Sequence, residues 1–447
     1  MSARLTEPLF SHESPDAVIA YRGATAVSAA QFLADARHLA EWLPAGRHVF
    51  NVCADRYRFA AVFAACLMTN RVNLLPSTYT ADVIERIAES APDAFCVTDD
   101  GRCDIDLPRV RVAQDFHAAP VAWQVPAIDA AQLAAIVFTS GSTGTPLPYR
   151  KTWSRLARCV RASAPRFGLS NGGNSTLIGT VPPQHMYGFE STVLLALQSG
   201  SAFIAERPFY PADIRAAIAA APRPRVLVST PIHLRALLCG DIELPPVDLV
   251  VSATAPLTRD LAQEIERRYG THLVEIYGST ETGQIATRRT AATAAWRLCP
   301  GVSVEVGADG AFAQGGHVEQ RSALCDVIEK IGEDEFLLRG RTADLVNIAG
   351  KRSSFAYLNH QLNAIPGVLD GVFFLRDEDT PGTAVSRLAA LAVAPGWDAA
   401  ALVERLRDSI DPIFLPRPLL LVDELPRNAT GKLPRGALQS LADKHLK

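Results

Sequence analysis

Hydrophobic and polar positions follow two periods along the chain. From Ser28 to Leu43 the apolar residues Phe32, Leu33, Ala36, Leu39, Ala40 and Leu43 recur at helical spacing, with Ser28 and Gln31 in a capping-box pattern and Pro44 and Gly46 closing the segment. This predicts an amphipathic helix that packs one face. Phe59 to Met68 is apolar all round and too short to cross a bilayer, so it predicts one buried helix. Between Pro222 and Glu281 the period alternates. Short β-branched runs at 225–229, 247–252 and 272–276 are separated by amphipathic stretches at 232–238 and 258–269. That order predicts parallel strands joined by crossover helices, a sheet type in which ligands gather outside the carboxyl ends of the strands. After about Arg341 the pattern becomes a smaller block, with strands expected at 368–375 and 388–393 and a helix at 400–410. The fold class expected is α/β. It combines a large N-terminal domain of parallel-rich mixed sheets and helices, 1–342, with a small α+β domain at 343–447.

Composition narrows the function. The chain has 447 residues, 48% of them hydrophobic, enough for a large core. Its 44 basic and 47 acidic residues leave a net charge of −3, which argues against nucleic acid as the partner. No export signal or membrane span is read at the start or elsewhere, so a cytoplasmic location is expected. The eight cysteines stand singly, without C-x-x-C, and read as small buried hydrophobes rather than a disulfide framework or zinc site.

The chemistry concentrates in segments at predicted strand ends. Thr139-Ser140-Gly141-Ser142-Thr143-Gly144 packs hydroxyls and glycines after the strand-like 135–138, a composition whose N–H and hydroxyl groups can surround phosphate oxygens, although it lacks the lysine of a Walker A loop. Tyr277-Gly278-Ser279-Thr280-Glu281 sets an aromatic ring, hydroxyls and a carboxylate at the end of another strand. That set can stack a base, touch a phosphate and hold Mg²⁺ through oxygen. Asp326 precedes Gly340-Arg341, and its carboxylate can accept two ribose hydroxyls. Lys432 follows a Thr-Gly turn in Pro426-Arg-Asn-Ala-Thr-Gly-Lys432-Leu-Pro-Arg435, a point charge on a flexible stem.

The ordered set TSGSTGTP, YGSTE, D…GR and PxxxTGKxxR resembles the AMP-forming adenylate-forming superfamily of acyl-CoA synthetases, adenylation domains and luciferases, over about residues 130–435. The resemblance implies that Thr139 to Gly144 grips the ATP phosphates, with Ala253 beside the nucleotide. It also implies that Tyr277 stacks on adenine, Thr280 contacts the α-phosphate, Glu281 binds Mg²⁺, Asp326 and Arg341 hold the ribose, and Lys432 is the catalytic lysine. His185 and Gly188, in Pro182-Pro-Gln-His-Met-Tyr-Gly-Phe189, are placed by it at the acyl pocket, together with Ser229, Thr254 and Gly278. The implied reaction joins a small carboxylic acid to AMP and then to the thiol of coenzyme A or of a carrier-protein phosphopantetheine, while the small domain rotates between steps. Segments 51–59, 151–153, 229–237 and 347–353 look similar to ligases that activate hydroxybenzoate-like aryl acids for aryl-polyene or xanthomonadin-type pigments. Arg56, Tyr57 and Trp153 within them suit packing equally well. A medium- or long-chain fatty acid, or a non-catalytic nucleotide-binding role, are the alternatives. Two departures stand out: Leu147 occupies the place of the family's loop lysine, leaving Arg150 or Lys151 to provide any loop charge, and Ala343 occupies that of its hinge residue.

Overall fold

The computed structural model describes residues 5–76, 79–100, 105–113, 117–119, 122–140, 146–169, 174–240, 242–307, 309–341, 345–348, 351–375, 388–428 and 433–445. The chain forms two compact units. One comprises Met1–Val304 with Ala313–Ser322, the other Glu305–Phe312 with Ala323–Lys447. The domain boundary expected from sequence, between 342 and 343, lies outside the described residues.

The first unit carries two parallel-rich sheets. One runs in the order Pro146–Thr152, Leu133–Ser140, Val72–Leu75, His48–Asn51, Phe95–Thr98 and Arg109–Arg111. All its neighbours are parallel except the first two strands, which form an antiparallel hairpin with Leu147 opposite Thr139 and Pro146 opposite Ser140. The other sheet contains the parallel run Leu249–Ser252, Arg225–Ser229 and Thr176–Gly179, with His272–Ser279 parallel on one side and Ala202–Ile204 on the other. The alternation read at 222–281 is therefore strand, crossover helix, strand. The helices are Pro231–Cys239 and Arg259–Tyr269, the second started by the Thr258 hydroxyl and stopped by Gly270 in the left-handed region.

Between the sheets lies the main core. Helix Ala29–Trp42 is capped by the Ser28 hydroxyl, which accepts from the Gln31 N–H. The reciprocal half of the expected capping box is missing, because the Gln31 amide turns to Asp35 at 2.8 Å and to the Ala118 carbonyl at 3.1 Å. Helix Arg56–Met68 is buried on every face, as its unbroken apolar run requires. No helix among the described residues is long and apolar enough to cross a membrane.

The second unit is α+β. Strands Asp370–Leu375 and Leu388–Val393 pair antiparallel and Leu419–Leu421 adds in parallel. Helices Phe355–Asn363 and Ala399–Arg407 supply Leu358, Leu362, Leu402 and Leu406 to its core. The described cysteines are free. Cys239 and Cys325 are exposed, which corrects the expectation that every cysteine is buried: each stands at the margin of an element rather than inside one. Cys103 lies outside the described residues.

Candidate active site

Ser229 ends the strand Arg225–Ser229, and Ala253 and Thr254 follow Leu249–Ser252, at the carboxyl ends of two parallel strands. The segment Tyr277–Glu281 departs from the reading, which put it beyond a strand at 272–276. Strand His272–Ser279 continues through Tyr277 and Gly278, with a bulge between them against its antiparallel neighbour Gly283–Arg288. Gly278 is needed there, because a Cβ would stand 2.1 Å from the Gly283 carbonyl oxygen. Beyond it Ser279 and Thr282 clasp each other, each backbone N–H donating to the other's hydroxyl at 3.1 and 3.2 Å, so Thr280 and Glu281 sit at the tip of a closed turn. The Tyr277 ring is half-buried and packs tilted on Trp296, 5.5 Å between centroids.

The hairpin Leu133–Ser140/Pro146–Thr152, which joins the segment read as a phosphate loop, reaches this turn. Thr139 and Ser140 end its first strand, while Gly141, Ser142, Thr143 and Gly144 lie outside the described residues. From the second strand, the buried Lys151 ammonium donates to the carbonyls of Thr280 and, at 3.3 Å, Glu281. The Arg155 guanidinium donates to the Glu281 carbonyl as well. The sequence reading offered Arg150 or Lys151 as a replacement for the missing loop lysine; Lys151 is instead committed to the turn. Burial lowers its pKa to about 8, helped by Arg155 and opposed by Glu190. Partial burial pushes the Glu281 carboxyl upward. Hydrogen bonds from Ser279, from its own backbone and from Tyr149, with the Lys151 charge nearby, outweigh it and hold the group below the usual carboxylate range. An ionised, half-buried carboxylate suits Mg²⁺, which takes one or two carboxylates plus substrate phosphates rather than an all-protein cage. Among the described residues no group of three acidic, histidine or cysteine side chains forms such a cage.

A second cluster surrounds Pro182–Phe189. His185 starts the short helix Met186–Gly188, its Nδ1 accepting from the Tyr187 N–H at 3.3 Å. The buried Tyr187 hydroxyl lies 3.0 Å from the Ser229 carbonyl and 3.1 Å from that of Val251, tying the segment to the ends of two strands. Gly188 admits no side chain, since a Cβ would lie 2.1 Å from the Pro182 oxygen. The next turn, Phe189–Leu194, is π-helical. Ser229 is fully buried and its hydroxyl pairs with Thr180 at 3.1 Å. Ala253 and Thr254 follow the adjacent strand, and Thr254 has φ +80°, an unusual conformation for a β-branched residue.

Several contributors carried no signal in sequence. His233, whose Nδ1 meets Thr230 at 2.9 Å and Thr180 at 3.3 Å, joins the cluster around 182–189 and Ser229; Arg155, Glu190 and Tyr149 join the one around the 277–281 turn. Arg56 resolves as structural: its buried guanidinium donates to the carbonyls of Gly179, Val181, Ile204 and Glu206. Tyr57 donates to Asp35 at 2.6 Å, and Trp153 is buried against Phe63. In the second unit Asp326 faces Arg341 across the hairpin Asp326–Lys330/Glu335–Arg341. Lys432 and Ala343 lie outside the described residues.

Residues 10–308 match the family described as AMP-binding enzyme, more than half of the chain. The chain belongs to the AMP-binding enzyme family. A 4-coumarate–CoA ligase from Rhodobacter capsulatus is 32% identical over 52% of this chain and 58% of its own length, so the match spans little more than half of that relative. A 4-chlorobenzoate–CoA ligase from Arthrobacter is 25% identical over 69% of the chain and 66% of its own length. The crystal structure of ATP-bound MatB from Rhodopseudomonas palustris covers 97% of both chains with a TM-score of 0.82 at 20% identity, a likeness of fold. The mixed α/β architecture of this AMP-binding enzyme is thus the one shared by adenylate-forming proteins.

Proposed function

We propose that this AMP-binding enzyme is an AMP-forming acid–thiol ligase that activates a hydroxybenzoate-like aryl acid. The observation that carries the reading is the closed turn of Thr280 and Glu281, held against the phosphate-loop hairpin with an ionised carboxylate at its tip. The names of two curated relatives, both ligases of aromatic acids to coenzyme A, support the substrate class.

In this reading the substrate carboxylate attacks the α-phosphorus of ATP, forming the acyl–phosphate bond as the bond to pyrophosphate breaks. The carbonyl of the resulting acyl-adenylate is then attacked by the thiol of coenzyme A or phosphopantetheine, and AMP leaves. Two anions must meet in the first step, so the protein's task is positioning and charge stabilisation. Mg²⁺, when bound, neutralises phosphate charge. Glu281 holds it, Thr280 orients the α-phosphate, the Tyr277 ring takes adenine, and Asp326 with Arg341 takes the ribose. Thr139 to Gly144 grips the outer phosphates with Ala253 alongside, and Lys432 supplies the second cation from a lid domain, 343–447, that turns between the half-reactions. His185, Gly188, Ser229, Thr254 and Gly278 shape the acid pocket.

The test is carboxylate-dependent ATP–pyrophosphate exchange with benzoate, its 3- and 4-hydroxy forms, cinnamates and fatty acids. Exchange with the aryl acids is expected; exchange confined to fatty acids would replace the substrate, and none with any acid would remove the catalytic reading. Lys432→Ala is expected to abolish exchange while leaving ATP binding intact, and undiminished exchange would mean that another group supplies the charge.

A further inference from the structure

Lys151 places a buried charge, and Arg155 a half-buried one, where neutral side chains would fill the space. Lys151 is 1% exposed, and its ammonium donates to the main-chain oxygens of Thr280 and Glu281, while Arg155 donates to the second of these. Removing a cation from water is costly, and the attraction of the buried Glu190 carboxylate offsets only part of that cost, since burial still lowers the Lys151 pKa. The arrangement therefore calls for a return other than stability. Fixing two successive carbonyls sets the peptide planes on either side of Glu281 and hence the direction of its Cα–Cβ bond. The clasp of Ser279 and Thr282 closes the turn from its other side.

We propose that Lys151 and Arg155 are positioning residues that aim the Glu281 carboxylate at the metal of Mg·ATP. The inference rests on the reading of Glu281 as the Mg²⁺ ligand. It assigns to two residues of the hairpin and its following helix a role in coupling metal to nucleotide. Outer-shell partners of metal ligands have such leverage, with losses of about ten- to a hundredfold in metal affinity when removed. Neither residue touches nucleotide in this role.

The experiment measures ATP binding to the full-length protein by calorimetry with and without Mg²⁺, and in parallel the free Mg²⁺ needed for half-maximal pyrophosphate exchange. Lys151→Met keeps the length of the side chain without its charge. It is expected to leave metal-free ATP binding within about twofold, to reduce the tightening by Mg²⁺ about tenfold, and to raise the half-maximal Mg²⁺ by a similar factor, with the KM of the acid unchanged and the thermal midpoint lower, because the buried Glu190 carboxylate loses its nearby cation. Arg155→Gln, touching one carbonyl, should show about a threefold effect of the same kind. A folded Lys151→Met protein with unaltered Mg²⁺ coupling overturns the proposal. Should that variant not fold, Arg155→Gln decides it in the same way; failure of both to fold makes the pair core supports and also overturns it. A wild-type protein that exchanges pyrophosphate with no acid refutes the ligase reading alone, because the binding measurement still reports on the positioning residues.

Discussion

The turn at 277–281 and the segment at 182–189 are fixed by different forces. Long cationic side chains from residues distant in sequence hold the turn by its carbonyl oxygens. The acid-side segment is held by contact of backbone on backbone, with Gly188 against Pro182 and a tyrosine hydroxyl filling the space between two strand ends. Charge can be weakened step by step without collapse, whereas a close-packed backbone tolerates almost nothing. The turn at 277–281 is therefore adjustable and the segment at 182–189 is rigid, as a pocket that reads shape would have to be if the proposed acid site lies there.

The most severe test of this contrast substitutes one glycine on each side. Gly188→Ala puts a Cβ at 2.1 Å from the Pro182 oxygen in a fully enclosed place, and is expected to cost about 3 kcal/mol or more of stability, read as a large fall in the thermal midpoint. Gly278→Ala meets the Gly283 oxygen at the same 2.1 Å, but at an exposed bulge just before Thr280 and Glu281, so exchange activity should fall further than the midpoint does. Equal loss of stability in both variants would erase the distinction.

Acid titration probes the rigid side. Burial, with Arg207 nearby, lowers the His233 pKa from 6.5 to about 4. The unfolded chain then binds a proton that the folded one refuses, so the contribution is present above pH 6.5 and is lost as pH falls toward 4. It amounts to at most about 3 kcal/mol. Denaturant midpoints at pH 7 and pH 4.5 should differ less in His233→Gln than in the wild type; an unchanged difference would place the acid sensitivity elsewhere, with buried His12 and His317, both also lowered to about 4, next in line. Tyr187→Phe removes one donor from two strand-end carbonyls. It should cost about 1–2 kcal/mol and raise the KM of the acid while leaving Mg²⁺ dependence untouched.

The same contrast explains what was legible in the sequence. Periodicity located the helix at 29–42 and the parallel run at 222–281, and the unbroken apolar run at 59–68 located most of the helix Arg56–Met68, because burial is written into the spacing of apolar residues. The turn of Glu281 was legible as chemistry. Its supports were not, since Arg155 and Glu190 are separated from it by long stretches of chain and look like ordinary charges on amphipathic segments. Lys151 drew notice for the wrong partner, the phosphate loop, because its direction depends on the strand register that sets Leu147 opposite Thr139. Gln31 shows the same limit locally: the pattern of a capping box was there, yet Asp35 one turn on offered its amide a better acceptor.

The smallest effect should come from Leu147, where the resemblance to adenylate-forming enzymes leads one to expect a lysine. Its side chain is 47% exposed in the hairpin strand opposite Thr139, so it contributes little to the core. Leu147→Lys should change stability by no more than about 0.5 kcal/mol, the range of surface substitutions. An exposed cation near the phosphate loop is screened by solvent and salt, which limits its gain to roughly 0.5–1 kcal/mol, or about two- to fivefold in the KM for ATP. The effect should shrink as ionic strength rises, unlike that of Lys151→Met, whose carbonyl contacts are shielded from solvent. A salt-independent change at 147, or a gain in kcat in place of KM, would mean that this position shapes the loop and does not merely lend it charge.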